Sequence, residues 1–164
     1  MDLPGIAAWV ENGTIGTAIR ESPWLFPTIE TCHVLAIVTV VGSITILDLR
    51  LLGFASRESS VTDVMSDVLP WTWGSFVVAA ITGSLLFTSK AVEYYNDGPF
   101  RAKMVLLALA AVNMAIFQRF TQRSLPGWDQ AQTTPWAAKI AGGVSLALWV
   151  AVVACGRWIG FTTS

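Results

Sequence analysis

The chain has 164 residues, 54% of them apolar, and its 10 basic and 11 acidic residues fall well short of the quarter of charged residues that a soluble domain carries. Charge is absent from four separate stretches of 15 to 22 residues, each close to the ~20 residues that cross a hydrocarbon core. The net charge of −1 offers no basic surface for nucleic acid. Two cysteines are too few for a secreted domain of the disulfide-rich class. These features exclude a soluble enzyme. They predict an all-α fold, an integral membrane four-helix bundle.

The first 26 residues are predicted to form an interfacial N-terminal segment. They lack a basic start followed by a long apolar run, so they do not resemble a cleaved signal peptide. Ile6, Ala7, Trp9 and Val10 predict a short helix on the membrane surface. Gly13 and Gly16 are expected to end this helix, and residues 24–27 then turn the chain into the bilayer.

The first predicted membrane span covers residues 28–47 and opens the four-helix domain of residues 27–164. Glu30 and His33 share one helical face with Asp48, which lies 18 residues, or five full turns, after Glu30. Asp48 and Arg50 follow at the other end of the span. We expect these two residues to be structural polar groups near the opposite membrane surface.

The three remaining spans are predicted at residues 70–89, 101–120 and 135–158. Asn113 lies at mid-depth in the third span, where a lone amide needs a hydrogen-bond partner. Thr39, Ser43 or Thr82 would be at a suitable depth. The fourth span repeats a small side chain every four residues, which predicts helix packing within the chain or against a partner chain: Gly143, Ala147, Ala151 and Cys155.

Antiparallel threading brings most of the chemistry-bearing side chains to one membrane face. Ionisable groups on the inward faces of membrane helices indicate a functional site, and the alternative is an ion-pair network, such as Glu30 with Lys103, that fixes helix register. The predicted ligand-binding residues at this face are Glu30, His33, Lys90, Glu93, Tyr94, Tyr95, Lys103 and Arg157. Arg101, Cys32 and Cys155 belong to the same end.

His33 is the only histidine, which limits the cofactors that this end could hold. A di-iron or zinc site would lack ligands. Haem b would need a second ligand from another residue type or from a second copy of the chain. A quinone head group would need only hydrogen bonds. Copper is a third alternative, because the thiolates of Cys32 and Cys155 together with His33 suit Cu(I).

Four runs of the sequence are distinctive: Trp24-Leu-Phe-Pro-Thr-Ile-Glu30-Thr-Cys-His33, the more specific Asp48-Leu-Arg-Leu-Leu-Gly53, Leu69-Pro-Trp-Thr-Trp-Gly74 and Phe100-Arg-Ala-Lys103. They resemble an uncharacterised family of small four-helix bacterial inner-membrane proteins. The resemblance covers nearly all of the chain after Trp24 and carries no activity with it. The chain is more loosely similar to copper-resistance and cytochrome b-like membrane proteins, which place a histidine early in a span.

The resemblance implies a multi-pass protein of the bacterial inner membrane. With four spans both termini share one side, which we expect to be the periplasm. The leading functional hypothesis is a redox-associated subunit that binds quinone or haem b. Two alternatives stand beside it: a non-catalytic anchor or assembly subunit, and a copper-handling protein. The expected partners are the lipid bilayer and either further copies of the chain or other membrane subunits.

Overall fold

The computed structural model of the protein describes residues 3–55, 58–121, 127, 129 and 134–162. These residues are almost entirely helical and include no strand. The α-helices are α1 (Leu3–Glu11), α2 (Thr14–Glu21), α3 (Leu25–Leu52), α4 (Val61–Ser89), α5 (Ala91–Asn96), α6 (Gly98–Ile116) and α7 (Trp136–Thr162), and a π-helical turn over Phe117–Thr121 extends α6.

Four helices are long and apolar enough to cross a membrane, which confirms the predicted all-α architecture and makes this a multi-pass membrane protein. The helices α3, α4 and α7 contain 28, 29 and 27 residues, so each is about 40 Å long and exceeds a hydrocarbon core of about 30 Å. Side-chain caps fix two helix starts: Ser60 accepts from the Asp63 amide, and Asp97 accepts from the Phe100 amide.

The long helices pack in the order α4, α3, α7, α6. Among the described residues, α4 and α6 are the outer members of this row and have no comparable contact with each other. The helix α6 contributes no buried residue before its π-helical extension, because it packs chiefly on α7. The bundle is therefore most open between α4 and α6, which touch through the stacked rings of Phe87 and Phe100.

The most tightly packed part of the bundle lies where α3 ends and α4 begins. Leu47 and Leu51 of α3 pack there with Val61, Val64 and Met65 of α4. Arg50 is only 1% exposed, and its Nε donates a hydrogen bond to the carbonyl oxygen of Ser59 at 2.9 Å. This bond ties the end of α3 to the segment that precedes α4.

The helix α7 meets α3 through a face that differs from the predicted stripe of small residues. Ala147 of that stripe is exposed, whereas Gly142, Trp149 and Val152 are buried. A Cβ atom added at Gly142 would lie 3.2 Å from the carbonyl oxygen of Asp48, so the two helices approach most closely here. The contact with α3 is therefore centred on Gly142, one position before the four-residue repeat, and Ala147 of the repeat stays exposed, as the alternative of packing against a partner chain requires.

The N-terminal segment forms two helices that dock on the turn between α4 and α5. The Glu11 carboxylate accepts a hydrogen bond from the Val92 amide at 2.8 Å, and Arg20 donates to the Ser89 carbonyl at 3.2 Å. The sequence predicted that Gly16 ends a helix, but this residue lies within α2. A Cβ atom there would come 2.5 Å from the Thr88 carbonyl oxygen, so glycine serves close packing at this position.

Candidate functional site

His33 lies in the contact between α3 and α4, opposite Gly83 of α4, which has no side chain. Its Nδ1 is 2.9 Å from the Thr82 hydroxyl oxygen. The Thr82 hydroxyl group donates its hydrogen to the Val78 carbonyl oxygen at 2.7 Å. The hydroxyl oxygen can therefore accept a hydrogen bond from the Nδ1–H group of His33. Gly83 provides the space for the ring, since a Cβ atom there would lie 2.9 Å from His33 Cε1.

Lys103 is the predicted partner that the fold brings nearest to His33. Its charge is close enough to interact with the His33 ring and with Cys155 of α7. Its ammonium nitrogen would be 3.7 Å from a Cβ atom placed on Gly156. The start of α6 is thus linked electrostatically to α3 and α7.

The other residues predicted for this end are not gathered into one pocket. Glu30 and Cys32 are exposed, and Glu30 forms no ion pair with any described residue. The described part of the chain also contains no group of three metal-ligating side chains. The remaining predicted residues lie towards the ends of the long helices: Lys90 pairs with Glu93 at 3.5 Å, the ring of Tyr94 forms a stacked cluster with Phe87 and Phe100, Tyr95 and Arg101 are exposed, and Arg157 lies over the Phe161 ring.

The Gly83→Ala substitution tests whether His33 is held in place by the missing side chain. The added methyl group must displace the ring and break its bond to Thr82, so we expect the free energy of unfolding to fall by about 1–2 kcal/mol. The matched control is Gly42→Ala, because a Cβ atom at Gly42 meets nothing within 4 Å. Thermal unfolding in detergent compares the two variants. Equal melting temperatures would contradict the packing role.

A cavity of about 220 Å³ lies elsewhere, in the membrane half nearer to the end of α3. The helices α3 and α7 form its floor, and α4 and α6 form its walls. Its aromatic lining comes from Trp73, Phe76, Phe117 and Trp149, and its polar lining comes from Asp48, Thr72, Asn113 and Ser145. The backbones of α4 and α6 make no comparable contact with each other, and the exposed side chains of Trp73 and Phe76 on α4 line the cavity, so we expect it to open between these two helices towards lipid.

Asp48 is the principal polar group of this cavity. The residue is 3% exposed, and its Oδ2 atom has no hydrogen-bond partner among the described residues. The Ser145 hydroxyl of α7 approaches the carboxyl group as a hydrogen-bond donor. A buried acceptor without a partner is costly, so its presence in a cavity wall marks a position where a ligand is expected to bind.

Two other polar side chains of the cavity also form hydrogen bonds within the protein. Asn113 donates from Nδ2 to the Ala141 carbonyl at 3.1 Å, so its partner is a backbone oxygen of α7 and not Thr39, Ser43 or Thr82 as predicted. The Thr72 hydroxyl bonds to the Ser43 hydroxyl at 2.8 Å and to the Val68 carbonyl at 3.0 Å. These bonds fix the side chains that surround Asp48.

Sequence reasoning assigned Asp48 and Asn113 structural roles and did not single out Ser145 or Trp149 for this site. One signal could have identified them. Trp149 is the only tryptophan in the middle of a predicted span, and Ser145 lies one turn before it on the same helical face. A polar and an aromatic side chain at that depth indicate a lined cavity.

The fold defines a multi-pass helical membrane protein, and this cavity is its candidate binding site. The chain belongs to a family of unknown function, DUF6644, whose sequence profile matches residues 7–162. Comparison with curated proteins and with solved structures finds no match.

Proposed function

We propose that this protein is a redox-associated membrane subunit of the bacterial inner membrane, and that it binds the head group of a lipid-soluble quinone in the cavity beside Asp48. The observation that carries the proposal is a cavity of about 220 Å³ with an apolar, aromatic lining and a few fixed polar groups. Ligand sites for small molecules have this composition.

The size of the cavity supports a substituted six-membered ring. A cavity of ~150 Å³ in a protein core is large enough to bind benzene, so a larger volume admits a ring that carries methyl or oxygen substituents. The rings of Trp73, Phe76 and Trp149 supply flat apolar surfaces for such a head group.

The position of the opening supports a ligand with an apolar tail. The tail of a membrane quinone lies in hydrocarbon, and the space between α4 and α6 leads from the cavity to hydrocarbon. A water-soluble ligand would have to cross the exposed apolar surfaces of both helices, which include Trp73 and Phe76 on α4 and Met104 and Val112 on α6.

Filling the cavity from α6 tests the proposal. Ala110 lines the cavity, whereas Ala108 of the same helix is exposed and does not line it. We expect Ala110→Phe to weaken binding of tetramethyl-1,4-benzoquinone at least tenfold, because the new ring takes the space of the head group. Ala108→Phe should bind like the wild type.

Equilibrium dialysis of the purified protein in detergent micelles measures both affinities, and melting temperatures show that both variants are folded. Extraction of the native preparation should also recover quinone from the wild type. The proposal fails if the wild type does not bind the probe above the micelle background, or if both phenylalanine variants bind it equally well.

A further inference from the structure

We propose that the start of α6 and the end of α7 bind the phosphate group of an anionic phospholipid, with Lys103 and Arg157 as its cationic partners. This site lies in the half of the bundle opposite to the cavity beside Asp48, and it does not depend on the proposed quinone function. The sequence predicted that Lys103 and Arg157 bind a ligand, but neither residue lines that cavity.

The helices α6 and α7 carry basic side chains but no acidic ones. Their sequences over Gly98–Ile116 and Trp136–Thr162 contain four Lys or Arg residues and no Asp or Glu. Three of the four lie at the end where α6 begins and α7 ends: Arg101, Lys103 and Arg157. Since the two helices pack against each other, positive charge is concentrated on this pair.

The carboxylates at this end of the bundle do not neutralise Lys103 or Arg157. Three of them bond to other groups: Glu11 to Arg20, Glu93 to Lys90, and Asp97 to the Phe100 amide. Glu30 was the predicted partner of Lys103, but it is exposed on α3. Within the described part of the chain, neither Lys103 nor Arg157 forms an ion pair with a carboxylate.

Lys103 extends from α6 to the backbone of α7. Its ammonium nitrogen would be 3.7 Å from a Cβ atom placed on Gly156, so the missing side chain at Gly156 leaves room for it. The charge of Lys103 interacts with His33 and Cys155, which offer an imidazole and a thiol in place of a carboxylate. The positive charge therefore has no counter-ion from the described residues, and an anion from outside the chain would supply one.

The depth of the two cations favours a lipid head group as the source of this anion. Lys103 follows the first residue of α6 by five residues, and Arg157 precedes the last residue of α7 by five, so each lies about 7.5 Å from a helix end. The helix α7 exceeds a hydrocarbon core of about 30 Å by about 5 Å at each end. Both backbones are thus expected just inside the hydrocarbon, from where long basic side chains reach the phosphate layer.

The surface beside Arg157 also suits a phospholipid. Its guanidinium carbon lies 4.6 Å from the centre of the Phe161 ring, and a guanidinium group can donate two hydrogen bonds to one phosphate. Val153 lies one turn deeper on the same face of α7 and is exposed, as is Met104 of α6. A free phosphate would contact the cations alone, whereas the acyl chains of a phospholipid would also cover these apolar side chains.

The experiment compares dioleoyl phosphatidylglycerol with dioleoyl phosphatidylcholine, which share their acyl chains and differ in head-group charge. Native mass spectrometry of the whole protein, released from detergent micelles, measures the affinity for each lipid. One cation near a membrane surface strengthens association with anionic lipid about fivefold, so we expect the wild type to prefer phosphatidylglycerol by about tenfold or more. Lys103→Gln and Arg157→Gln should each lower this preference about fivefold, and Lys103→Arg should keep it.

The matched control is Lys90→Gln. It removes one positive charge at the same end of the bundle, as Lys103→Gln does, but from a side chain that is paired with Glu93. The lipid preference of this variant should equal that of the wild type, and melting temperatures show that all variants are folded. Inorganic phosphate, added at constant ionic strength, should not displace phosphatidylglycerol.

Three results would overturn the proposal. Equal affinities of the wild type for the two lipids would mean that there is no anionic site. An equal loss in Lys103→Gln and Lys90→Gln would mean that binding follows net charge alone, and displacement by inorganic phosphate would mean that the site takes a soluble anion. None of these results depends on quinone binding, which Lys103→Gln should leave as it is in the wild type.

Discussion

Asp48→Leu should make the protein more stable while it weakens binding of the quinone head group in the cavity. The wild-type carboxyl group keeps one oxygen buried without a partner among the described residues, and such a group costs about 1–3 kcal/mol. Leucine has the same branching, can extend its larger side chain into the adjacent cavity and brings no polar atom, so we expect the melting temperature in detergent to rise by several degrees. Binding residues are often retained although they lower stability, and the difference in melting temperature between this variant and the wild type measures that loss.

The control for this prediction is Asp67→Leu, which makes the same substitution at an exposed position of α4. Its free energy of unfolding should change by no more than about 0.5 kcal/mol. A lower melting temperature for Asp48→Leu would contradict the prediction. It would mean that the carboxyl group stabilises the contact between α3 and α7 more than its unpaired oxygen destabilises it.

The adjacent glycines of α7 should respond in opposite ways to the same substitution. A Cβ atom at Gly142 would lie 3.1 Å from Leu51 Cβ and 3.2 Å from the Asp48 carbonyl oxygen, so Gly142→Ala must push α3 and α7 apart. We expect a loss of about 1–3 kcal/mol in the free energy of unfolding. Since Asp48 moves with α3, the affinity of the cavity for the quinone head group should fall as well.

Gly143→Ala provides the comparison, because its Cβ atom would lie 3.7 Å from the flexible end of Leu52. Alanine also favours the helix over glycine by about 1 kcal/mol, so this variant should be as stable as the wild type or more so. Thermal unfolding followed by tryptophan fluorescence ranks the three proteins. Equal destabilisation by the two substitutions would show that α3 does not approach α7 closely at Gly142.

The four spans could be predicted because the physics that defines them is local. Long uncharged runs require a hydrocarbon environment, and backbone groups in hydrocarbon require helices. The same reasoning could not establish which helices are neighbours. Small residues on α7 indicated a packing face, but only the assembled structure shows that Gly142 is at the contact and that α4 and α6 stay apart.

The site was harder to predict because burial changes along a single helix. Glu30 and Asp48 share one face of α3 by periodicity, yet Glu30 is exposed and Asp48 is 3% exposed. The helices α3, α4 and α7 converge near the end of α3, so the same face is covered at one end and open at the other. The predicted site gathered most titratable side chains at the His33 end of the bundle. In the structure, the charge of Lys103 interacts with His33, whereas Glu30 and Cys32 are exposed.

The gap between α4 and α6 also determines how occupancy of the cavity is controlled. A compound that enters through this gap never dissolves in water on its way, so it arrives by diffusion in two dimensions. The fraction of protein that carries it then follows its mole fraction among the lipids and is insensitive to its aqueous concentration. Dilution with phospholipid, at constant protein and total compound, should therefore empty the site.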